Sequence, residues 1–125
     1  MTSYTAIFQK ELGGTFSDIQ TLEDKDGLSL EITLQNSIHL SFDYVAYRVT
    51  NEGDRLLTLN EVAASSTLGK ILYEAADSEY IVWLTKERCG IEPPCGQKFR
   101  HFLVLTEFVI DIICYDAPTI AAARR

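Results

Sequence analysis

Residues Leu28-Ser-Leu-Glu-Ile-Thr-Leu34 alternate strictly between apolar and polar side chains. Because successive side chains of a β-strand point to opposite faces, the apolar residues of this stretch would share one buried face. Directly upstream, Asp26-Gly27 is a tight-turn signal, since glycine accepts the positive φ that a two-residue hairpin requires. The pattern predicts a hairpin whose strands cover residues 15–23 and 28–35.

The next stretch keeps the two-residue period but changes its phase. Its apolar residues fall into two sets on opposite faces, Ile38, Leu40, Phe42 and Tyr44 on one and Val45, Tyr47 and Val49 on the other. A strand bulge near Asp43–Tyr44 would bring both sets to one side, and a strand buried on both faces is the alternative. After a turn we expect a return strand over Leu56–Val62, a loop over 63–67 and a short strand over 70–73.

Residues 77–89 have the pattern of a helix. Asp77 or Ser78 can accept the first free N–H groups, and Gly90, with Pro93-Pro94 beyond it, ends the helix. Its packing side would consist of Tyr80, Ile81, Leu84 and Trp83.

Two apolar runs, Phe99–Leu105 and Phe108–Tyr115, predict a closing hairpin. An even loop between them would place His101 on a strongly apolar face, with Arg100 on the other face and diagonal to Asp111. Because an unpaired buried carboxylate is costly, Asp111 would then pair with Arg100, lie exposed to solvent, or serve as a polar group in a ligand pocket. An odd loop would move Asp111 relative to Arg100.

These patterns together predict an α+β protein. Its 125 residues correspond to a single domain, 1–125, in which residues 121–125 would form a frayed tail. We expect a mainly antiparallel curved sheet or partial barrel of about five to seven strands, packed on one principal helix over about 77–89.

The composition excludes several classes of protein. With 46% hydrophobic residues the chain is not intrinsically disordered, and its net charge of −7 argues against nucleic-acid binding. The N-terminus lacks the pattern of a signal peptide, and no apolar run approaches the roughly 20 residues that a membrane helix needs. We therefore expect a cytoplasmic protein without membrane contact.

The three cysteines, Cys89, Cys95 and Cys114, are an odd number that fits a reducing compartment. Cys89 and Cys95 with His101 do not have the spacing of a zinc site, and no fourth ligand is evident. We expect free thiols, no metal and no cofactor.

Two stretches resemble catalytic motifs but lack what the chemistry requires. Ala64–Ile71 has neither the first glycine nor the final serine or threonine of a phosphate-binding loop. His39, Ser41 and Asp43 alternate along one strand, about 7 Å apart, which is too far for the direct hydrogen bonds of a catalytic relay. We expect a solvated sheet face there and no catalytic residues.

The charge distribution is the most informative feature for function. Residues 1–62 carry ten acidic and four basic side chains, a balance of −6, whereas residues 63–125 carry eight acidic and seven basic ones, a balance of −1. Because an acidic surface steers a basic protein toward it, the first hypothesis is a non-enzymatic interaction module with a basic partner. The accessible contacts would be the turn residues Asp24, Asp26, Glu52 and Asp54.

Two alternatives stay open. The first is a small-molecule-binding protein or simple enzyme with an aromatic-lined pocket between the sheet and the helix. The walls and polar anchors of that pocket would be Tyr44, Tyr47, Tyr73, Tyr80, Trp83, Arg100, His101 and Asp111. The second is a homodimer that forms through an unpaired strand edge.

Several segments resemble those of small bacterial proteins with no assigned activity. They are Ala46–Leu56, Leu72-Tyr-Glu74, Ser78-Glu-Tyr80, Trp83-Leu84 and Ile110-Asp-Ile112, within residues 28–118. The resemblance implies an accessory or mobile-element protein, in some cases similar to immunity proteins that neutralise toxins. It carries no catalytic residue to this chain.

Overall fold

The computed structural model describes residues 1–12, 17–66 and 68–122. It confirms the α+β class, because the described residues form two antiparallel sheets that do not close into a barrel, accompanied by two α-helices. The strands are β1 (Ser3–Ala6), β2 (Ile19–Lys25), β3 (Ser29–Leu34), β4 (Ile38–Phe42), β5 (Tyr44–Asn51), β6 (Leu72–Ala76), β7 (Arg100–Leu105), β8 (Phe108–Cys114) and β9 (Thr119–Ala122), and the helices are α1 (Leu56–Ser65) and α2 (Glu79–Glu87). One sheet has the order β1-β6-β7-β8-β5 and the other the order β2-β3-β4-β9.

The hairpin predicted around the opening stretch is β2 and β3. Asp26 and Gly27 have φ values of 58° and 70° in its turn, and Gly27 donates its N–H to Asp24 Oδ1 at 3.1 Å. The alternate apolar residues from Leu30 onward are fully buried, whereas Leu28 lies in the turn and is exposed. Residues 15 and 16 of the predicted first strand lie outside the described part of the chain.

The change of phase marks the passage of the chain from one sheet to the other. β4 pairs with β3 in the four-stranded sheet, and β5 pairs with β8 in the five-stranded sheet. The predicted bulge is present one position further on, as a register irregularity between Tyr44 and Ala46. Apart from Tyr44, which already belongs to β5, the two apolar sets therefore lie on two strands in different sheets and not on one strand buried on both faces.

The return strand predicted over Leu56–Val62 is wrong, because this segment belongs to α1. Its buried residues are Thr58, Glu61 and Val62, which have helical spacing, but two of the three are polar. Hydrophobic periodicity therefore gave no helical signal here. The loop predicted over 63–67 begins later, since α1 continues to Ser65, and Thr67 lies outside the described residues.

Helix α2 confirms the predicted signals at both ends. Ser78 is the N-cap, its Oγ accepting the N–H of Ile81 at 3.0 Å, and the chain turns off after the helix at Cys89 and Gly90, with φ values of 54° and 75°. The prediction that Trp83 lies on the packing side is wrong, since Trp83 is 51% exposed. Among the residues of α2, only Tyr80 is buried.

The closing hairpin is formed by β7 and β8, but its register differs by one residue from the predicted one. Leu105 pairs with Val109, so an odd number of residues lies between them, and Leu103 faces Asp111. Because side chains alternate along a strand, this shift places His101 and Asp111 on the same face of the sheet and Arg100 on the opposite face. The predicted pair between Arg100 and Asp111 is therefore wrong.

Arg100 instead pairs with Glu74 of the neighbouring strand β6. Its Nε and Nη2 atoms donate to the two carboxylate oxygens at 2.8 and 2.9 Å. We expect a double-mutant cycle of Arg100→Ala and Glu74→Ala to give a coupling energy of about 0.5–1 kcal/mol in urea unfolding, because both side chains are partly exposed. Arg100→Ala and Asp111→Ala should be additive, and a coupling between these two would contradict the register.

Two cores lie on the two faces of the five-stranded sheet. The first fills the space between the sheets, where the rings of Phe42 and Phe102 lie 6.2 Å apart. The second lies beneath α1 and consists of Tyr4, Val62, Tyr73, Leu103, Leu105 and Val109. His101 and Asp111 belong to this second, helix-covered face.

The C-terminal segment is paired in the four-stranded sheet as far as Ala122. Ala121 and Ala122 belong to β9, which pairs with β4, so the predicted fraying does not apply to them. Residues 123–125 of the predicted tail lie outside the described part of the chain.

Neither helix found in the described residues has the length and apolar character required to cross a membrane.

Candidate functional site

A fully buried carboxylate, Asp111, occupies the middle of β8 on the helix-covered face. Its Oδ1 lies 2.7 Å from His101 Nε2, and its Oδ2 accepts hydrogen bonds from Arg48 Nε at 2.9 Å and from Arg55 Nη1 at 2.5 Å. These partners come from β7, from β5 and from the residue that precedes α1. The carboxylate therefore ties both neighbouring strands and one helix together.

The register explains why these residues meet. Arg48 lies directly opposite Asp111 on β5, and His101 lies two residues from Leu103, which faces Asp111 on β7. A short 3₁₀ helix over Glu52–Asp54 ends β5 and turns the chain back over the sheet, which brings Arg55 above the same carboxylate.

Electrostatics keep Asp111 ionised. Burial alone would raise the pKa of this carboxyl group, but hydrogen bonds from His101, Arg55 and Arg48 outweigh that effect and hold the pKa well below its usual range. At neutral pH the site therefore contains one carboxylate and two guanidinium groups.

The network continues from His101 to Ser78, whose Oγ lies 2.7 Å from His101 Nδ1. Ser78, His101 and Asp111 have the composition of an acyl-transfer relay, and the odd hairpin loop brings them together from three elements. However, Ser78 is only 6% exposed, and its Oγ already accepts the N–H of Ile81 as the helix cap. In this arrangement the serine fixes the start of α2 to β7.

The N-terminal segment covers this serine. Thr2 Oγ1 donates to the carbonyl of Asp77 at 3.1 Å and accepts the N–H of Glu79 at 3.2 Å. The rings of Tyr4 and Tyr80 lie edge-on to His101, with centroids 6.2 and 5.5 Å away. Ser78 is therefore flanked by bonded backbone groups and is nearly buried.

On the solvent side of Asp111, three side chains form a stack. The guanidinium carbon of Arg48 lies 4.2 Å from the centroid of the Tyr80 ring, and the ring of Trp83 stacks on Tyr80 at 5.7 Å with an angle of 24°. The Arg48 side chain is 48% exposed and Trp83 is 51% exposed. We call these three residues the Arg48 stack.

Helix α1 buries two polar residues and leaves four apolar residues exposed, while Val62 and, in part, Leu59 pack into the core. Thr58 and Glu61 are buried, and Glu61 accepts the N–H of Thr2 at 3.1 Å. Leu56 and Leu57 are 64% and 72% exposed. The exposed apolar residues of the two helices are Leu56, Leu57, Ala63, Ala64, Val82 and Trp83, which we call the helical surface.

Arg48 is linked to both helices through its two neighbours. Arg48 shares Asp111 Oδ2 with Arg55, which directly precedes Leu56 of α1. On its other side it lies on Tyr80 of α2, which carries Trp83. This arrangement cannot be predicted from the hydrophobic periodicity of the sequence, because the tertiary fold determines which apolar residues stay exposed.

The acidic residues predicted as partner contacts lie in two places. Asp24 accepts hydrogen bonds from the hydroxyls of Tyr44 and Tyr47, the shortest at 2.7 Å, and the bond from Tyr44 lowers the pKa of Asp24. The same bond raises the pKa of Tyr44 to about 12. Asp24 and Asp26 lie near the start of β5, whereas the exposed Glu52 and Asp54 follow its end, roughly 20 Å away.

The residues predicted for an aromatic pocket do not come together as one site. Tyr44 and Tyr47 contact Asp24, Tyr73 is buried in the core beneath α1, and Arg100 pairs with Glu74 on the opposite face. The structure brings together only Tyr80, Trp83, His101 and Asp111. A shallow groove of about 210 Å³ lies elsewhere, between α2 and residues 91–99.

The predicted polar face of β4 is present. His39 contacts Glu31 at 2.8 Å and Thr33 at 2.9 Å, and Ser41 donates to Glu31 at 2.6 Å, all across the β3–β4 pair. This cluster is the half-buried outer face of the four-stranded sheet. Asp43 lies beyond the strand and is exposed.

The cysteines are free thiols. Cys89 and Cys95 are exposed, and burial raises the pKa of Cys114 to about 12. Among residues 1–12, 17–66 and 68–122, no group of three His, Cys, Asp or Glu side chains is placed to hold a metal ion.

Comparisons of the chain with protein families, with curated proteins and with solved structures returned no match. The fold and the site thus define a small α+β protein with a buried ionic centre and an exposed apolar surface on its helices. The resemblance to immunity-like proteins stays an expectation.

Proposed function

We propose that the protein is a non-enzymatic interaction module that binds a partner protein through the helical surface. The observation that carries the proposal is the start of α1, where Leu56 and Leu57 face solvent although Val62 of the same helix is buried in the core. Large exposed apolar side chains that are adjacent on one element, as Leu56 and Leu57 are, are typical of protein-binding surfaces. Trp83 supports the same interpretation, because tryptophan is enriched among residues that dominate binding energy.

The charge around the helical surface favours a basic partner. The exposed Glu52 and Asp54 directly precede α1, and the exposed Glu79 lies in the first turn of α2. An acidic rim around an apolar centre attracts a partner with basic residues around an apolar patch. Association of two copies would instead bring together two chains that each carry a net charge of −7. An inhibitor of a basic protein, as the resemblance implies, fits this chemistry.

A pull-down from host cells at low and moderate salt tests the proposal with three forms of the protein. The double variant Leu57→Glu/Trp83→Ala changes side chains that are 72% and 51% exposed, so it should fold like the wild type. The matched control Leu28→Glu changes a leucine that is 73% exposed, on the β2–β3 turn. We expect a basic protein to be captured by the wild type and the control but not by the double variant.

The captured protein is then purified and titrated into each form by calorimetry. We expect the double variant to bind at least about tenfold more weakly than the wild type, and the wild-type affinity to fall with salt. Equal affinities of the double variant and the wild type would refute the proposal, as would capture of nothing at either salt concentration. A dimer in sedimentation that the double variant abolishes would show that the surface binds a second copy and not a basic partner.

A further inference from the structure

Arg48 is held in place by one edge of its guanidinium group and leaves the other edge open. Its Nε donates to Asp111, and within the described chain no acceptor is bonded to its two Nη groups. The side chain is 48% exposed, so these donors face solvent. Arg100, in contrast, uses Nε and Nη2 for the carboxylate of Glu74.

The charges at the site leave one positive charge unpaired. Asp111 neutralises one of the two arginines that bind its Oδ2, and the second guanidinium has no further ion-pair partner in the described residues. Arg55 is 13% exposed in its side chain and also bonds Thr58 and Thr50. The accessible positive charge of the pair is therefore Arg48, on a protein whose net charge is −7.

The donors of Arg48 are preorganised. The bond to Asp111 restrains the guanidinium group, and its central carbon lies over the Tyr80 ring, 4.2 Å from the ring centroid. A rigid guanidinium loses little entropy when it binds a planar carboxylate with two parallel hydrogen bonds. The half-exposed ring of Trp83 stacks on the same Tyr80 ring and adds apolar surface to the Arg48 stack.

We infer that Arg48 and Trp83, which both contact the Tyr80 ring, form a carboxylate-binding site beside α2. The ligand is a carboxylate attached to an apolar or aromatic group, and in the complex it belongs to an acidic side chain or a C-terminus of the partner. This assignment of the partner's group rests on the proposed function. The site thus adds one acidic contact to an interface whose other charged residues favour a basic partner.

The isolated protein tests the site without a partner. Sodium benzoate is titrated into ¹⁵N-labelled protein, and the side-chain N–H signals of Arg48 Nε and of Trp83, the single tryptophan of the chain, are followed by NMR. We expect saturable shifts of both signals with benzoate and none with the neutral analogue benzamide. Inorganic phosphate distinguishes a carboxylate site from a general anion site, and should shift these signals at least tenfold less strongly.

Three variants complete the experiment. Arg48→Gln should abolish the response to benzoate, and Trp83→Ala should weaken benzoate binding several-fold, read from the Arg48 signal. The matched control is Arg88→Gln, at the far end of α2, where Arg88 lies over Phe99; it should leave benzoate binding unchanged. A dispersed spectrum of each variant verifies folding.

The outcomes separate this site from the proposed function. Absence of a saturable benzoate shift, an equal response to benzamide or phosphate, or an unchanged response in Arg48→Gln would overturn the carboxylate site while leaving the pull-down result intact. A positive benzoate titration combined with a failed pull-down would overturn the interaction module and retain the site.

Discussion

Asp111→Ala is expected to lower the free energy of unfolding by about 3–5 kcal/mol, because it leaves buried positive charge without its counterion. The guanidinium group of Arg55 would stay in a side chain that is only 13% exposed, and His101, 2% exposed, would lose its acceptor. Burying an unpaired charge costs far more than an ion pair at the surface contributes.

Urea unfolding followed by circular dichroism at pH 7 measures this loss. The control is Asp43→Asn, which removes a carboxylate at an exposed position and should change the stability by less than about 0.5 kcal/mol. A loss below about 1 kcal/mol for Asp111→Ala would show that the arginines do not depend on this carboxylate.

The same residue gives a defined pH dependence. Since folding lowers the pKa of Asp111, its contribution to stability is complete above the ordinary carboxyl pKa of about 4 and is lost as the pH falls through the lower pKa of the folded state. The stability difference between the wild type and Asp111→Asn should therefore be constant from pH 7 to about pH 5 and shrink at more acidic pH. A difference that grows on acidification would contradict the direction of the pKa shift.

Elements with local signals could be predicted from the sequence. The β2–β3 hairpin follows from strict alternation and an Asp-Gly turn, and α2 follows from its N-cap Ser78 and the glycine after its end. In both cases the residues that determine the structure are within a few positions of one another. In both elements the turn or capping residues and the hydrophobic pattern predict the same structure.

Helix α1 could not be predicted in this way, because two of its three buried residues are polar and its first two leucines are exposed. The fold turns Thr58 and Glu61 inward, where Arg55 and Thr2 satisfy them, and leaves Leu56 and Leu57 in solvent. Departures of this kind from the apolar-inside rule are expected at functional or strained sites.

The sequence predicts only part of the ionic centre around Asp111. Asp111 stands out in an apolar strand, so its need for a partner was evident from the sequence. Its partners were not, because Arg48 and Arg55 are 63 and 56 residues away in the chain, and one residue in the β7–β8 loop decides which face Asp111 occupies. Register of this kind depends on tertiary packing, and a shift of one position exchanges the two faces.

Arg55→Ala and Arg48→Ala are expected to differ strongly in their effect on stability, although both arginines bind the same oxygen of Asp111. Arg55 also donates to Thr58 and Thr50 and is nearly buried, so its loss should lower the free energy of unfolding by about 2–4 kcal/mol. Arg48 is half exposed, and its loss should cost about 1 kcal/mol, mainly through the stack on Tyr80.

Urea unfolding of the two variants and of Arg55→Lys measures this difference. Arg55→Lys keeps the charge but not the several fixed donors, and should fall between the wild type and Arg55→Ala. Equal losses for the two alanine variants would mean that Arg48 stabilises the fold as much as Arg55 does, which would contradict the expected division of roles. The expected asymmetry would instead separate the two roles: Arg55 holds α1 on the sheet, and Arg48 is held by the sheet and presented to solvent.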